Sequence, residues 1–392
     1  MSALAHPWDL DPDVTFLNHG SFGATPRAVL DAQHKLRAEM ERQPVRFFTR
    51  ALEPLLDAAR ARVAGFLGAA PEDLVFVRNA TEGVNAALAA LELAPGDEVL
   101  TLDHAYNACA NALAEHARRR GARVVTASLR FPLDAPGEVL EALASRATSR
   151  TRALLLDHVT SPTALVLPAG EIARHFEARG VTVIVDGAHA PGMIPLDLAR
   201  LGASYYTGNL HKWVCAPKTA GFLWARRELH AGLRPLAISH GANSPRLDRP
   251  RLHLEFDWPG TFDPTAILAA PEAIALLGAL SPGGWDGLRA ANRARCLEGR
   301  AALCEALGVA PPCPDAMIGS MASVPIALDA ARAEALHDAL LDRHRVEVPV
   351  IPWSSPRGVF VRISAQAYNA PEDYARLIDA LRAEGISGQG RG

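Results

Sequence analysis

Two residues at the ends of neighbouring apolar segments carry the groups that pyridoxal phosphate (PLP) chemistry needs. The run VTVIVD ends in Asp186, and Lys212 follows in the segment YYTGNLHKW. A lysine amine can form a Schiff base with the cofactor, and a carboxylate can keep the pyridine nitrogen protonated as an electron sink. Taken alone, Asp186 is also consistent with a loop cap, and Lys212 with a surface side chain that covers Trp213. Desolvation in a cleft would lower the pKa of the amine and favour its use as a nucleophile and base.

A second segment, LVFVRNATEGVNAAL, runs from an apolar strand into a helix. Asn79, Ala80 and Thr81 stand at the junction, and Glu82 opens the helix. Backbone N–H groups at a helix N-terminus bind phosphate, and the helix dipole assists them. The junction is therefore a candidate phosphate site, although Asn79 or Thr81 could serve only as an N-cap.

The elements that must position these residues are short apolar runs, which alternate with Ala-rich amphipathic stretches from about residue 26 to 260. This alternation predicts an α/β fold with a mostly parallel buried sheet, and ligands of such sheets bind beyond the strand C-termini. The runs are LVFV (74–77), EVLTL (98–102), RVVTASL (123–129), ALLLDHV (153–159), VTVIVD (181–186) and GFLWA (221–225).

After Asp263 the pattern changes to that of a smaller α+β unit. It contains two long helical stretches, strands in GSMASVPIAL and GVFVRIS, a helix near ARAEALHDALLDR, and a last helix from Pro371. A chain of 392 residues is long for a single core. We therefore expect an N-terminal segment (1–25) that packs on the small domain, a large PLP-binding domain (26–262) and a small C-terminal domain (263–392).

The composition favours a small-molecule partner. The chain has 40 Lys+Arg against 43 Asp+Glu and a net charge of -3, which offers no broad attraction for nucleic acid or anionic lipid. The 5 cysteines are scattered and predict neither a disulfide framework nor a metal site. The N-terminus lacks the features of a signal peptide, and no apolar stretch approaches membrane-spanning length. We expect a cytoplasmic protein with no nucleic-acid or membrane partner.

Several motifs together carry a family resemblance over nearly the whole chain. The sequence resembles the class V aminotransferase family of fold-type I PLP-dependent enzymes, and within it the isopenicillin N epimerase-like branch. The resemblance implies the fold of PLP-dependent transferases of fold type I. The matching motifs, in chain order, are FLNHGSFGATP (16–26), RNATEGVN (78–85), VDGAHAPG (185–192), YYTGNLHKWVCAPK (205–218), WPGTFDPTA (258–266), IGSMASVP (318–325) and VRISAQAYN (361–369).

The resemblance implies a role for each matching position. Lys212 would be the Schiff-base lysine and Asp186 the partner of the pyridine nitrogen. His189 and Ser161 would approach the phenolic oxygen of the cofactor, although His189 alone is also consistent with a structural histidine. The residues around the phosphate would be Ala80, Thr81, Asn209 and His211, with Thr261 contributed by a second subunit. Such shared sites imply a homodimer with an isologous interface.

Three further positions are candidates for contact with the substrate. Tyr106, after the EVLTL strand, would stack over the cofactor ring and could donate a proton, or it could be a core tyrosine. Arg362 interrupts the apolar strand GVFVRIS and could bind a substrate carboxylate with two hydrogen bonds, or form a structural ion pair. The segment Asn18, His19 and Gly20 would form a substrate-facing loop or a simple turn.

The sequence leaves the reaction open between several kinds of α-carbon chemistry. Epimerisation needs two proton carriers, for which Lys212 and Tyr106 are the available pair. The leading hypothesis is therefore an isopenicillin N epimerase-like enzyme that acts on an amino acid or aminoacyl side chain. The alternatives are a carbon–sulfur lyase that resembles hercynylcysteine sulfoxide lyase, and an aminotransferase.

Two other readings are disfavoured by the sequence. A cysteine desulfurase needs an activated cysteine on a loop, and Cys313 in PPCPDAMIG has no cationic neighbour in the sequence to lower its pKa. A non-catalytic PLP-binding module would usually add a DNA-binding helical domain, for which the N-terminal segment is too short.

Overall fold

The computed structural model describes residues 7–354 and 357–386. The strands of this part are β1 (Thr15–Phe16), β2 (Leu74–Val77), β3 (Glu98–Leu102), β4 (Arg123–Ala127), β5 (Thr151–Asp157), β6 (Thr182–Asp186), β7 (Tyr205–Asn209), β8 (Gly221–Ala225), β9 (Met321–Ile326), β10 (Val346–Glu347), β11 (Val350–Ser354) and β12 (Arg357–Ser364).

The α-helices of the same part begin with four near the N-terminus, of which the second and fourth are long. They are α1 (His19–Phe22), α2 (Arg27–Arg42), α3 (Pro44–Arg46), α4 (Leu52–Leu67), α5 (Ala80–Ala89), α6 (Asn107–Arg120), α7 (Gly137–Arg146), α8 (Ala169–Glu177), α9 (Leu198–Leu201), α10 (Arg251–Phe256), α11 (Thr265–Leu268), α12 (Ala270–Ala279), α13 (Gly284–Leu307), α14 (Ala333–Asp342) and α15 (Pro371–Ala383). A π-helical turn, Phe47–Ala51, joins α3 to α4, and short 3-10 turns span Pro71–Asp73, Arg227–Leu229, His240–Asn243, Asp315–Met317 and Ala330–Arg332.

The central feature is a 7-stranded sheet in the order β2-β8-β7-β6-β5-β3-β4. Only β8 runs antiparallel to its neighbours, β2 and β7, and the other pairs are parallel. Strands such as β2 and β8 are buried along their whole length, which explains why they read as continuous apolar runs. The predicted α/β fold with a mostly parallel sheet is confirmed.

Helices cover both faces of this sheet because alternate strand residues face opposite sides. One face, with Val99 and Ile184, packs against α5, α6 and α10. The opposite face, with Leu100 and Val183, packs against α4 and α8 and joins a core that continues into the C-terminal part of the chain. The strand ends are thereby held at fixed positions between two helical layers.

The C-terminal part is built on a smaller antiparallel sheet in the order β11-β12-β9. The structure has β9 inside GSMASVPIAL, β12 over the whole of GVFVRIS and one residue before it, and α14 and α15 where helices were predicted. The prediction overlooked β11, which lies beside β12. The N-terminal strand β1 pairs in parallel with β10, so the start of the chain contacts this part. The domain boundaries after residues 25 and 262 stay a prediction.

Within residues 7–354 and 357–386, no single helix is long and apolar enough to cross a membrane. The helical segments Thr265–Ala279 and Gly284–Leu307 have that length and composition only when taken together, and they are bent by 71° at the break between them. The described residues contain no cluster of three or more His, Cys, Asp or Glu side chains that could hold a metal ion. All five cysteines are buried and unpaired in disulfides.

Two helical glycines provide a matched test of how tightly the layers pack. An alanine Cβ at position 83 in α5 would lie 2.0 Å from the Thr207 hydroxyl of β7, whereas one at position 65 in α4 would meet nothing within 4 Å. We expect Gly83→Ala to lower the free energy of unfolding by about 1 to 3 kcal/mol. Gly65→Ala should raise it by about 0.5 to 1 kcal/mol, because alanine restricts the unfolded chain. Urea unfolding of both variants measures the difference, and equal effects would contradict the close packing of α5 on β7.

Candidate active site

A cavity of about 300 Å³ lies where β5, β6 and β7 end. Its walls include the last residue of each of these strands, Asp157, Asp186 and Asn209. Neighbouring strands place Asp157 opposite Asp186 and Asp186 opposite Thr207. The other lining residues are Ser21, Phe22, Arg78, Asn79, Ala80, Thr81, Tyr106, Val159, Ser161, Ala188, His189, His211, Lys212, Lys218 and Thr219. The cavity thus brings together most of the predicted site residues.

Lys212 stands in the turn after β7. Its Nζ lies 3.1 Å from Nε2 of His189. Burial, assisted by the positive charge of Arg362, lowers the pKa of the amine to about 8. The backbone of the turn is packed closely against the N-terminal segment, since a Cβ on Gly23 would lie 2.1 Å from the His211 carbonyl. The structure therefore presents an amine that loses its proton far more readily than an exposed lysine.

Asp186 forms the floor of the cavity and is 3 % exposed. Its Oδ1 accepts a hydrogen bond from the Ala188 amide at 2.9 Å, and its Oδ2 accepts one from the Cys109 thiol at 3.1 Å. Burial raises the pKa of this carboxyl, and both hydrogen bonds oppose the rise. A positively charged group above the carboxylate would offset the cost of its burial.

A second buried carboxyl, Asp157, stands beside Asp186 at the end of β5. Its Oδ1 accepts a hydrogen bond from the Tyr106 amide at 3.3 Å, so it also fixes the start of α6. Burial and the adjacent Asp186 raise the pKa of Asp157 well above its ordinary value. Asp157 was not predicted as a site residue, because the run ALLLDHV continues for two residues beyond it, whereas the strand in the structure ends at this carboxyl.

His189 is buried beside Lys212, and its Nδ1 has no hydrogen-bond partner within the described ranges. Burial and the nearby amine lower the pKa of this imidazole well below its usual value, so the ring is neutral. A buried polar atom without a partner is uncommon in native proteins. It indicates that a ligand atom completes the site.

The opposite end of the cavity is positively charged. Asn79 caps α5 by accepting from the Glu82 amide at 3.0 Å, and Asn209 accepts from the Ala80 amide at 2.8 Å. Lys218 and Arg78 also line this cavity, together with the predicted His211 and Thr81. Sequence analysis missed Lys218 and Arg78 as site residues, although both lie inside the motifs quoted for the family resemblance. Arg78 is ion-paired with Glu82 at 3.0 Å, so the helix N-terminus and Lys218 are the groups that suit a phosphate.

Arg362 lies behind the wall formed by Ser21 and Ser161. Its Nη1 donates to the Ser161 carbonyl at 2.6 Å and hydroxyl at 3.1 Å, and its Nη2 donates to the Ser21 hydroxyl at 3.0 Å. Within the described part of the chain no carboxylate pairs with this guanidinium, and its Nε has no partner. Burial lowers its pKa to about 10.

Tyr106 stands at the cavity mouth, 43 % exposed.

Some predicted residues do not reach the cavity. His19 is fully buried and hydrogen-bonded to the Lys212 carbonyl at 3.0 Å and to Tyr368. Gly20 is needed for packing, since its Cβ would lie 2.3 Å from Met321 Sδ. Asn18 donates to Glu347 at 2.6 Å. Helix α1 turns these residues towards the C-terminal part, and the next residues, Ser21 and Phe22, line the cavity. Contact of residues 18–20 with a substrate stays a prediction.

Thr261 lines a neighbouring cavity of about 420 Å³ that shares Arg78 and Thr219 with the first. This position is compatible with the expectation that Thr261 serves a second subunit. That role stays a prediction.

The residues present fit PLP. Asp186 suits the pyridine nitrogen, Lys212 the aldehyde carbon, and the N-terminus of α5 with Lys218 the phosphate. The unpaired Nδ1 of His189 lies among them. A negative floor, a central amine and a positive far end thus match the charge distribution of this cofactor.

Comparison with known proteins agrees with this geometry. The profile of the family "Aminotransferase class-V" matches residues 16–277. An isopenicillin N epimerase of Amycolatopsis lactamdurans is 38% identical over 393 residues, which cover 95% of this chain and 96% of that protein. The chain belongs to the class V aminotransferase family. A probable chloroplastic L-cysteine desulfhydrase of Arabidopsis thaliana is 32% identical over 95% of this chain and 83% of that protein.

The fold of this member of the class V aminotransferase family also matches solved structures. A variant of the enzyme C-DES, with glycine covalently linked to its PLP cofactor, superposes with a TM-score of 0.77 at 21% identity, covering 94% of this chain and 96% of that one. That likeness supports the fold. Family and fold together establish pyridoxal 5'-phosphate as the cofactor of this chain.

The surroundings of Cys313 differ from those expected from the sequence. Cys313 does have a cationic neighbour, because Arg300 Nη1 lies 3.8 Å from its sulfur. Burial nevertheless raises the pKa of this thiol to about 11. Since no cysteine lines the cofactor cavity among the described residues, the structure offers no activated sulfur nucleophile there.

The lowered pKa of Lys212 predicts how this protein takes up its cofactor. Only the neutral amine attacks an aldehyde, so the rate of PLP uptake by cofactor-free protein should rise with pH and level off above about 8, instead of near 10.5 for an ordinary lysine. Arg362→Gln should move this midpoint to higher pH, because the arginine's charge helps to lower the lysine pKa. Stopped-flow absorbance measures the rate, and Arg300→Gln is the control with an equally buried arginine elsewhere. A wild-type midpoint near 10.5 would contradict the desolvated amine.

Proposed function

We propose that this chain is an epimerase-like enzyme that removes and returns the α-proton of an amino acid or aminoacyl side chain. The observation that supports the proposal most is Arg362, a buried guanidinium bonded only to neutral oxygen atoms beside the cofactor cavity. A substrate carboxylate would replace the neutral acceptors of Ser21 and Ser161 with charged ones, which make stronger hydrogen bonds. An amino-acid substrate supplies that carboxylate.

Lys212 is the proposed base. Its pKa of about 8 leaves a useful fraction of neutral amine near neutral pH, which suits a group that accepts a proton and gives it back. The neutral ring of His189, at 3.1 Å, can hold the amine in position without adding a competing charge. When bound, PLP supplies an electron sink for the electron pair left at the α-carbon. Asp186 keeps that sink charged.

Tyr106 is the proposed second proton carrier. It lines the same cavity as Lys212, and the residue is 43 % exposed. The hydrogen bond from its amide to Asp157 supports a fixed backbone at this point. Epimerisation requires one group to remove the proton and a different group to deliver one from the other side, and this pair provides both.

A carbon–sulfur lyase is the second candidate. It is supported by the likeness to an L-cysteine desulfhydrase, and it would use the same lysine and arginine without a cysteine nucleophile. Aminotransfer, which the family name suggests, would need the α-amine to leave the substrate. We further propose a homodimer in which Thr261 serves the partner's site, and a cytoplasmic location.

The first test follows the α-proton in D₂O. We expect the wild type to incorporate deuterium at the α-carbon of an accepted amino acid with inversion of configuration, as followed by NMR and chiral chromatography. Tyr106→Phe should still exchange the α-proton for deuterium with retention of configuration, because Lys212 remains. Its rate of inversion should fall roughly 100-fold or more. Tyr205→Phe, a buried tyrosine on the far side of β7, is the control.

Two outcomes would contradict the epimerase proposal. Release of pyruvate, ammonia and a sulfur product without recovery of the inverted amino acid would favour the lyase. Formation of a keto acid with conversion of the cofactor to its amine form would favour aminotransfer.

The second test concerns Arg362. Loss of two charge-assisted hydrogen bonds of about 1.5 kcal/mol each should raise KM for the accepted amino acid about 100-fold in Arg362→Gln. Arg362→Lys should not restore it, because an ammonium group cannot replace the bidentate fork. Arg300→Gln, which removes another buried arginine, should lower thermal stability with KM unchanged. An unchanged KM in Arg362→Gln would exclude the carboxylate role.

A further inference from the structure

A second cavity, of about 590 Å³, adjoins the cofactor cavity. We call it the α6 cavity, because Asn107, Ala110, Leu113 and Ala114 of helix α6 line one side of it. The edge strand β4 and the β11 residues Ile351–Trp353 form other walls. Tyr106 and Ser161 belong to the walls of both cavities, so the two spaces meet at these residues.

The meeting point lies at the end of the cofactor cavity where a substrate would bind. Ser161 is hydrogen-bonded to Arg362, and Tyr106 is the proposed second proton carrier. The other neighbouring cavity, which contains Thr261, meets the cofactor cavity at Arg78 and Thr219, on the phosphate side. Of the two neighbours, only the α6 cavity therefore adjoins the carboxylate side.

The walls of the α6 cavity are mostly apolar. Alanines at positions 110 and 114, one helical turn apart, leave room that larger side chains would fill, and Pro352 and Trp353 face the same space. Asp103 carries the only charge among the described lining residues, and its oxygens already accept from the Leu129 amide at 3.0 Å and the Ser128 hydroxyl at 2.7 Å. A cavity of this size falls in the range of sites for drug-sized ligands, roughly 300 to 1,000 Å³.

We propose that the α6 cavity binds the side chain of the substrate, and that this side chain is long, largely apolar and without negative charge at its far end. The proposal rests on the proposed function, because it assumes that the substrate carboxylate binds at Arg362. A small amino acid such as cysteine or alanine would leave the cavity empty. A terminal carboxylate would meet Asp103 and no cation.

The test uses carboxylic acids that lack the α-amino group and therefore cannot undergo α-carbon chemistry. Calorimetry on the PLP-loaded enzyme compares propionate, 6-benzamidohexanoate and 6-(succinylamino)hexanoate, which present a short tail, a long neutral tail and a long anionic tail. We expect the benzamido acid to bind at least about 10-fold more tightly than propionate, because its tail buries apolar surface. The succinyl compound should bind more weakly than the benzamido acid.

Adjacent substitutions on one helix provide a matched control. Ala110→Leu fills part of the cavity and should weaken binding of the benzamido acid about 10-fold while propionate binding is unchanged. Asn111→Leu, exposed and outside the cavity, should change neither. Similar affinities for the long and short acids, or an equal effect of Ala110→Leu on both, would overturn the proposal. Failure of the D₂O experiment alone would overturn the epimerase proposal and leave this binding result intact.

Discussion

The parallel register of β5, β6 and β7 is the constraint on which the rest of the site depends. Hydrogen bonds between these strands bring Asp157, Asp186 and Thr207 to one level of the sheet. Because parallel strands need crossover connections, residues far apart in sequence meet only at this edge. Lys212 follows directly after β7 and is held there by the turn that packs on the N-terminal segment. A shift of one residue in any of these pairs would turn a carboxyl away from the cavity.

The buried charged groups around the cavity lack opposite charges that bound ligands would supply. Asp186 and Asp157 are buried together on the floor, and both have raised pKa values because burial disfavours the charged form. Lys212 and Arg362 are cations with lowered pKa values for the same reason. Each group lacks part of the opposite charge that would offset its burial. PLP supplies a positive ring nitrogen and a negative phosphate, and an amino acid supplies a carboxylate. Burial of these groups therefore lowers the folding stability of the protein, and binding of the cofactor and the substrate would offset this cost.

Close packing outside the cavity keeps these groups in place. Gly23 and Gly20 let the N-terminal segment approach the Lys212 turn and Met321, and His19 fills the space behind the lysine. Ser21 and Phe22 then reach the cavity from the same segment. The pairing of β1 with β10 fixes this segment to the C-terminal part, which also supplies Arg362. Three distant parts of the chain therefore share one wall of the cavity.

Local sequence was sufficient to determine most strands of the central sheet, its mostly parallel type and the two residues, Asp186 and Lys212, that could act on PLP. Continuous apolar runs that end in Asp186 or lead to Lys212 indicate buried strands whose ends face a ligand, and the junction at Asn79 indicates a helix N-terminus. These signals depend on near neighbours in the chain, so they can be read without the fold. The family motifs then assigned the cofactor.

Tertiary structure decided what depends on contacts between distant segments. It showed that Asp157 joins Asp186, and that Lys218 and Arg78 lie at the phosphate end. It also showed that His19 is buried against the Lys212 turn. It also showed that Arg300 touches Cys313 while burial still keeps that thiol protonated. The α6 cavity exists only because α6, β4 and β11 meet, and β11 was not visible in the sequence. Burial, ion pairing and empty space are properties of the packed chain, which no single segment contains.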